Sequence, residues 1–476
     1  MYDIVVIGGG AAGLNVASAA SRIGAKVALI EKAKLGGECT NTACVPSKAL
    51  LRAARIAHEI RLANEFGIHP GEVRVDFPAV MARVRAVVES FRAGETAERL
   101  SKKVIEVIAG SPRFESYDTV VIDGTRRISA AKFAIATGSR PDLPQIPGLL
   151  ESGYLTNETI WDLDALPESL VILGGGPVAI EFGQAFARLG SKVTIIEKNS
   201  EILHREDRDA TAILRQRLAA EGIGFVLGVE ATGIGIREGS IVVKHRSGSG
   251  EASEVRASYL LVATGRIANV EGLNLVAIGI HASAERGIPV DDYLATAARN
   301  VYALGDVIAR DRFTHAAERM AAVVFQNALL KLPKKYRDDA IPRVVFSDPE
   351  FAAVGITEAQ ATERGIEAKI VALDLAKVDR VRIDGDEGGL LKVVATPGGK
   401  VLGATIVGPD ASLAIQELVL AIEHGLTLGD LAGTVHPYPT MASAVRSVAN
   451  RFAASRLDGG FVRTALKWVY GLTPPS

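Results

Sequence analysis

The chain has two cysteines in 476 residues, Cys39 and Cys44, separated by four positions. A secreted fold stapled by disulfides would spread several cysteines along its length. A close pair in a chain otherwise empty of cysteine leaves three readings: redox chemistry, half of a metal site, or coincidence. A zinc site takes about four ligands, and no other His or Cys pair of matching spacing occurs, so no metal is expected. The segment reads Gly36-Gly37-Glu38-Cys39-Thr40-Asn41-Thr42-Ala43-Cys44-Val45-Pro46-Ser47-Lys48 and runs into a helical pattern. Thiols near a helix N-terminus have depressed pKa values and become better nucleophiles.

Two glycine motifs would position that chemistry. Gly8-x-Gly10-x-x-Gly13 follows the β-branched run Asp3–Ile7, and Glu31 falls 23 residues after Gly8. The spacing predicts a βαβ unit whose glycine turn lets a pyrophosphate approach the backbone at a helix N-terminus, with Glu31 on the ribose hydroxyls. The pattern repeats. Gly174-x-Gly176-x-x-Ala179 follows Ser169–Leu173, and Glu197 again falls 23 residues after the first glycine. Alanine at the third place still permits close helix–strand packing. Each unit is followed by an apolar run ending in Ala-Thr-Gly, at 136–138 and 263–265. The chain therefore reads as two dinucleotide-binding domains of related design.

The rest of the chain supplies the frame. Segments 50–66 and 79–107 have helical apolar spacing, as in Val80, Val84, Val87 and Phe91, and are assigned to the first domain. Residues 298–307, ending in Gly305-Asp306, read as that domain resuming after the second was inserted. From about residue 346 the pattern changes to strands such as 390–396 and 401–407 mixed with helices 411–424 and 441–456, an α+β domain without a nucleotide motif. The expected boundaries are 1–150, 151–270, 271–345 and 346–476.

The hydrophobic fraction of 48% is enough for several packed domains. A formal net charge of -1 gives no basic field for nucleic acid. Residues 4–30 are apolar but broken by glycines, Arg22 and Lys26, so they do not read as a membrane span. The N-terminus enters a strand at once, with neither a signal nor a transit pattern. A cytoplasmic location is expected. In the tail, Phe461, Ala465, Trp468 and Val469 form a helical apolar stripe, expected to pack on its own domain or on a second copy.

Cys39-x4-Cys44-Val45-Pro46-Ser47-Lys48 after the first glycine motif resembles the class I pyridine nucleotide–disulfide oxidoreductases, which include dihydrolipoamide dehydrogenase, glutathione reductase and mercuric reductase. The resemblance runs through both glycine motifs, both Ala-Thr-Gly turns, Gly305-Asp306 and Ser347-Asp348-Pro349-Glu350. It implies an α/β fold with two Rossmann-like FAD- and NAD-binding domains and a C-terminal α+β dimerisation domain. It also implies a homodimer with active sites built from both subunits. FAD would be held by Gly8, Gly10, Gly13, Glu31, Lys48, Thr137, Gly138 and Asp306, with Asp306 on the ribityl chain. The nicotinamide cofactor would be held by Gly174, Gly176, Ala179, Glu181, Glu197 and Gly265. Glu197 suits a free ribose 2′-hydroxyl and would repel a 2′-phosphate, which favours NAD(H) over NADP(H), although Lys198 beside it could partly offset the repulsion. Cys44 would form the thiolate beside the flavin, Cys39 the interchange thiol, and Lys48 would pair with Glu181 near the flavin N5.

The chain departs from that pattern near its C-terminus. The lipoamide and glutathione enzymes carry a histidine base there and a glutamate five residues later. Here Tyr438 and Ser443 stand in those places, and His436 matches the preceding, non-catalytic histidine. An unperturbed tyrosine has a pKa of about 10, so Tyr438 can donate a proton but is a poor general base. Tyrosine resembles mercuric reductase, yet the second cysteine pair of those enzymes is missing. The expected function is an FAD-dependent NAD(P)H oxidoreductase that passes electrons to Cys39–Cys44 and on to an acceptor left open among a small disulfide, a metal ion such as Hg(II) or Cu(II), a quinone or dioxygen. A dihydrolipoamide dehydrogenase and a redox-sensing or scaffold flavoprotein are the alternatives.

Overall fold

The computed structural model describes residues 1–457 and the pair 468–469; the tail stripe otherwise lies outside the described residues. The chain forms two compact units, residues 1–198 with 222–338, and residues 199–221 with 339–476.

The first unit begins with β1 (Tyr2–Ile7), α1 (Ala11–Arg22) and β2 (Val27–Glu31). Ile4, Val5, Val6 and Ile7 are all buried, as expected of a parallel strand covered on both faces. The short helix α2 (Gly37–Asn41) and the long α3 (Cys44–Leu62) follow, then α4 (Phe77–Arg92) and α5 (Ala97–Ser101). The helical pattern expected over 79–107 ends earlier, because residues 105–109 form β3 (Ile105–Ala109) and pair in parallel with β2. The buried stripe of α4 is Phe77, Met81, Val84 and Val88. It is displaced by about one position from the stripe expected, and Phe91 is exposed. Strands β4 (Pro112–Ser116), β5 (Thr119–Ile122) and β6 (Arg126–Ile135) complete the run. The sheet order is β3-β2-β1-β6-β5-β4.

Beyond β7 (Ser139–Pro141), a second βαβ unit follows as β8 (Ser169–Leu173), α6 (Pro177–Leu189) and β9 (Lys192–Glu197). Gly183 lets α6 lie close to its sheet: a Cβ there would meet Ile195 Cδ1 at 3.1 Å. Helix α7 (Arg208–Ala220) belongs to the other unit. The first unit resumes with β10 (Gly224–Leu227), which lies parallel to β9, and the antiparallel ribbon β11 (Val229–Arg237), β12 (Ser240–Ser247) and β13 (Ala252–Ala257). Strand β14 (Tyr259–Val262) pairs with β8, and β15 (Arg266–Ala268) with β7. Strand β16 (Val301–Ala303) pairs in parallel with Phe133–Ile135 of β6, so this late segment lies in the first sheet. Helix α8 (Thr314–Phe325) then packs against α1.

The second unit is built on a five-stranded sheet of β17 (Arg343–Val345), β18 (Glu350–Gly355), β19 (Lys369–Asp374), β20 (Leu390–Ala395) and β21 (Val401–Gly408), in the order β17-β18-β21-β20-β19. Its helices are α9 (Glu358–Glu363), α10 (Asp379–Ile383), α11 (Ala411–His424), α12 (Leu428–Gly433) and α13 (Ser443–Leu457). Capping boxes at Thr357/Gln360 and Thr427/Asp430 satisfy orphan backbone N–H groups where α9 and α12 begin. Helix α7 joins this unit through charge. Lys392 on β20 is buried and reaches Asp207 at 2.9 Å, Asp209 at 2.5 Å and Glu358 at 3.3 Å. Arg343 pairs with Glu206 at 2.7 Å.

Candidate active site

The site is assembled from glycine contacts upward. Gly8, at the end of β1, has φ +108°, and a Cβ there would lie 2.2 Å from the Ala136 carbonyl oxygen. A Cβ on Gly13 would lie 1.9 Å from the Gly8 oxygen. No other residue fits either place, so the turn stays narrow. Glu31 closes the loop from β2. Its Oε2 accepts from the Gly9 N–H at 2.6 Å, and its Oε1 from the Ala33 N–H at 2.7 Å. Beside it is a cavity of about 300 Å³ lined by Glu31, Lys34, Leu35, Arg92 and Glu95 among others. A glycine cradle that a Cβ would fill, an acidic residue at the strand end and this cavity fit a flavin dinucleotide.

The same turn sets the cysteines. Gly37 has φ +59°, and a Cβ on it would meet Gly10 Cα at 2.6 Å. The Gly36 N–H donates to the Gly9 carbonyl at 2.9 Å. Helix α2, which carries Cys39, is therefore held directly against the first glycine turn. Its other side is tied by Glu38, which accepts from Asn157 Nδ2 at 2.6 Å and pairs with Arg266. Burial pushes the Glu38 carboxyl upward, against the pull of Arg266 and Asn157. Trp161 Nε1 donates to the Thr42 carbonyl at 2.9 Å, and Arg92 Nε to Asn41 Oδ1 at 2.6 Å.

Cys44 is the first residue of α3, where the exposed N–H groups favour negative charge. Both cysteines are free thiols of intermediate burial. The hydroxyl of Thr314, the first residue of α8, donates to Cys39 Sγ at 3.2 Å and lies 3.6 Å from Cys44 Sγ. The Cys39 thiol bonded to it brings Cys44 down to about 6, with help from Thr314 and the Lys48 charge and against burial. Cys39 moves the other way: the thiolate beside it and its own burial hold it protonated. The two sulfurs are thus unequal, Cys44 the more acidic and Cys39 the one that keeps its proton.

Lys48, one turn further along α3, pairs with Glu181 of α6 at 2.7 Å and 2.9 Å. Glu181 is buried. Asp306 accepts from Ser139 Oγ at 2.6 Å and lies 3.9 Å from Arg266 Nε. Thr137 donates to the Asn269 carbonyl at 2.7 Å, and Gly138 has φ +72°. In the second turn Gly174 has φ +105°, and a Cβ there would lie 2.3 Å from the Ala263 oxygen. Ala179 is fully buried, and buried Glu197 accepts from the Gly175 N–H. Gly265 follows β14, and its backbone carbonyl accepts from the Asp142 N–H at 3.0 Å.

Tyr438 and its neighbours lie on the second unit. Tyr438 is 74% exposed, and its hydroxyl donates to Asp379 Oδ2 on α10 at 3.0 Å. That carboxylate raises the phenol further from neutral pH. Ser443 donates to the Thr440 carbonyl at 2.6 Å, away from the phenol. The imidazole of His436 is buried, with Nε2 2.8 Å from Glu417 and Nδ1 3.1 Å from the Thr434 carbonyl. Among the described residues no group of three or more His, Cys, Asp and Glu is placed to hold a metal ion, and no helix is long and apolar enough to cross a membrane.

Residues 2–321 match the pyridine nucleotide-disulphide oxidoreductase family, and residues 341–449 match its dimerisation domain. The chain belongs to the pyridine nucleotide-disulphide oxidoreductase family. It is 37% identical to a mercuric reductase of Streptomyces lividans, over 95% of this chain and 96% of that one. It is 36% identical to a dihydrolipoyl dehydrogenase of Geobacillus stearothermophilus, over 94% and 95%. Among solved structures, the Cu(II) complex of the HOCl-induced flavoprotein disulfide reductase RclA from Escherichia coli superposes with a TM-score of 0.84 at 29% identity, covering 94% of this chain and 99% of that one. As a member of this family the chain is an FAD-dependent pyridine nucleotide–disulfide oxidoreductase.

The sequence motifs did not reveal Thr314, Glu38 with Arg266 and Asn157, or Asp379. Thr314 lies 275 positions from Cys39 with no local pattern to mark it. Glu38 sits inside the cysteine motif, where a carboxylate entering a buried helix was the available signal.

Proposed function

We propose that the chain is an NADH-driven reductase of thiophilic acceptors, either a soft metal ion such as Cu(II) or Hg(II) or a small disulfide, working as a homodimer. The observation that carries this reading is the sulfur pair held beside the glycine cradle, with Cys44 as the first residue of α3 and both sulfurs against the Thr314 hydroxyl. Gly8, Gly10, Gly13, Glu31, Thr137, Gly138 and Asp306 hold the flavin dinucleotide. Gly174, Gly176, Ala179, Glu197 and Gly265 hold the nicotinamide dinucleotide, with the Glu197 carboxylate disfavouring a 2′-phosphate. Bound FAD supplies two-electron exchange between a nicotinamide hydride and a disulfide. Lys48, fixed by Glu181, places a positive charge at that exchange, and Cys44 holds the resulting thiolate. Cys39 faces the acceptor: its thiolate attacks one sulfur of a disulfide and releases the other as a thiol, and Cys44 then displaces the bound sulfur as a second thiol while closing the Cys39–Cys44 bond; with a metal, the pair coordinates it and closing that bond gives two electrons, to one Hg(II) or to two Cu(II).

Tyr438 supports the direction of flow. A phenol that donates to the Asp379 carboxylate and keeps its proton well above neutral pH is no base for an incoming dithiol, which disfavours dithiol oxidation. The relatives named mercuric reductase and the Cu(II)-bound neighbour agree with a thiophilic acceptor. The 36% identical dihydrolipoyl dehydrogenase keeps lipoamide as the second reading.

Anaerobic NADH titration should raise a long-wavelength thiolate–flavin absorbance, and Cys44→Ser should abolish it and cut acceptor turnover at least about a hundredfold. Persistence of both in the variant would overturn the electron route. An acceptor panel of Cu(II), Hg(II), oxidised glutathione, a quinone and lipoamide, run with NADH and NADPH, should give its highest kcat/KM with NADH and a thiophilic acceptor. Dihydrolipoamide oxidation at comparable rates would establish the second reading instead.

A further inference from the structure

The acid–base problem at Cys39 has a local answer in the geometry. A nucleophilic Cys39 needs its own proton removed, and no histidine stands at position 438 to take it. The resting charge sits on the neighbouring sulfur. Between the two lies one hydroxyl, on the first residue of α8, 3.2 Å from Cys39 Sγ and 3.6 Å from Cys44 Sγ. A hydroxyl has one proton to give and lone pairs to receive another. The N-termini of α3 and α8 both end at this point, so their exposed N–H groups favour negative charge on either sulfur.

We infer that Thr314 is a catalytic residue, the shared hydrogen-bond partner through which thiolate charge passes from Cys44 to Cys39. The Thr314 O–H first rotates from Cys39 Sγ, to which it donates at rest, toward the Cys44 sulfur; the Cys39 S–H proton then goes to Thr314 Oγ1 as the Oγ1 proton goes to the Cys44 sulfur. One proton leaves one sulfur and one arrives at the other; no electrons move, and the hydroxyl is restored. Cys39 is then the thiolate that attacks the acceptor. The step rests on the proposed redox role of the pair. It replaces a base on the C-terminal unit with a group beside the sulfurs, and so lets a chain with Tyr438 keep a reactive interchange thiol. The other groups that act on Cys44 are Lys48 on α3, which favours its charge, and Glu181 on α6, which opposes it. Both stay in place in the variants below.

The test uses Thr314→Val, which keeps the shape without the hydroxyl, and Thr314→Ser, which keeps the hydroxyl. Each FAD-loaded protein is reduced anaerobically with a phosphine and alkylated with iodoacetamide across pH 4.5–9. Peptide mass mapping then partitions the label between Cys39 and Cys44. The valine variant should raise the Cys44 midpoint by about one pH unit, the worth of one hydrogen bond to a charge, and lower the share of label on Cys39. Serine should restore both. Valine curves that superimpose on the unsubstituted protein, or a serine variant of native flavin content and Tm that fails to restore them, would overturn the inference. Absence of the thiolate–flavin absorbance in the unsubstituted protein would instead defeat the electron route, while the alkylation partition still decides Thr314.

Discussion

At the residue scale the chemistry depends on which charge each sulfur faces. Lys48 pulls the Cys44 midpoint down and Glu181 pushes it up, although the two are paired at 2.7 Å. Removing one charge should therefore shift the thiol in a defined direction. Glu181→Gln should lower the Cys44 midpoint and Lys48→Met should raise it, each by up to about one unit. The alkylation rate of the reduced protein against pH reads both. The same depressed value sets a stability window. A thiol lowered to about 6 in the folded state and near 8.5 unfolded stabilises the reduced protein above the unfolded value. That contribution falls away as pH drops through the folded value. Cys39, held protonated, acts with the opposite sign above the ordinary thiol range.

At the scale of elements, one backbone contact joins cofactor cradle and reactive pair. Helix α2 has five residues, too short to hold itself, and its position comes from Gly37 resting on Gly10. Gly37→Ala would place a Cβ 2.6 Å from Gly10 Cα and force an L side chain into φ +59°. The expected cost is roughly 1–3 kcal/mol, read as a lower Tm, together with weaker FAD retention on gel filtration. A neutral result would mean that Glu38, Trp161 and Arg92 hold α2 without the glycine contact. The stripe on α4 has a related cause. Val80, Val84, Val87 and Phe91 have helical spacing, but the face beginning at Phe77 is the one buried, because α3 and α2 decide which side of an amphipathic helix is inside.

At the scale of the whole molecule, the division into units cuts across the order of the sequence. Residues 199–221 follow the second βαβ unit yet pack with the C-terminal sheet, where Lys392 gathers Asp207, Asp209 and Glu358. Burial works against the ammonium, and the three carboxylates outweigh it and hold the lysine charged. Asp207 is itself buried and caps α7 by accepting from the Asp209 and Ala210 N–H groups at 3.1 Å and 3.3 Å. Lys392→Met should leave that carboxylate without its cation and cost about 3–5 kcal/mol, measured by denaturant unfolding. An unchanged midpoint would show that the cap alone sustains Asp207.

The parts legible from the residues alone are those whose information is local. Glycine spacing, a strand before it and an acidic residue 23 positions later are all contained within one βαβ unit, and a side chain at Gly8, Gly13 or Gly174 would clash with neighbouring backbone. The motif around Cys39 and Cys44 was legible for the same reason. The partners came from packing between distant parts of the chain. Thr314 meets Cys44 across 270 positions, Arg266 meets Glu38 across 228, and Asp379 meets Tyr438 across 59. Such pairs leave no periodic trace, because a single side chain brought in by a distant helix obeys no spacing rule. The acid–base character of the site lies in those contacts: a motif specifies which sulfurs are present, and the fold specifies which of them carries the charge.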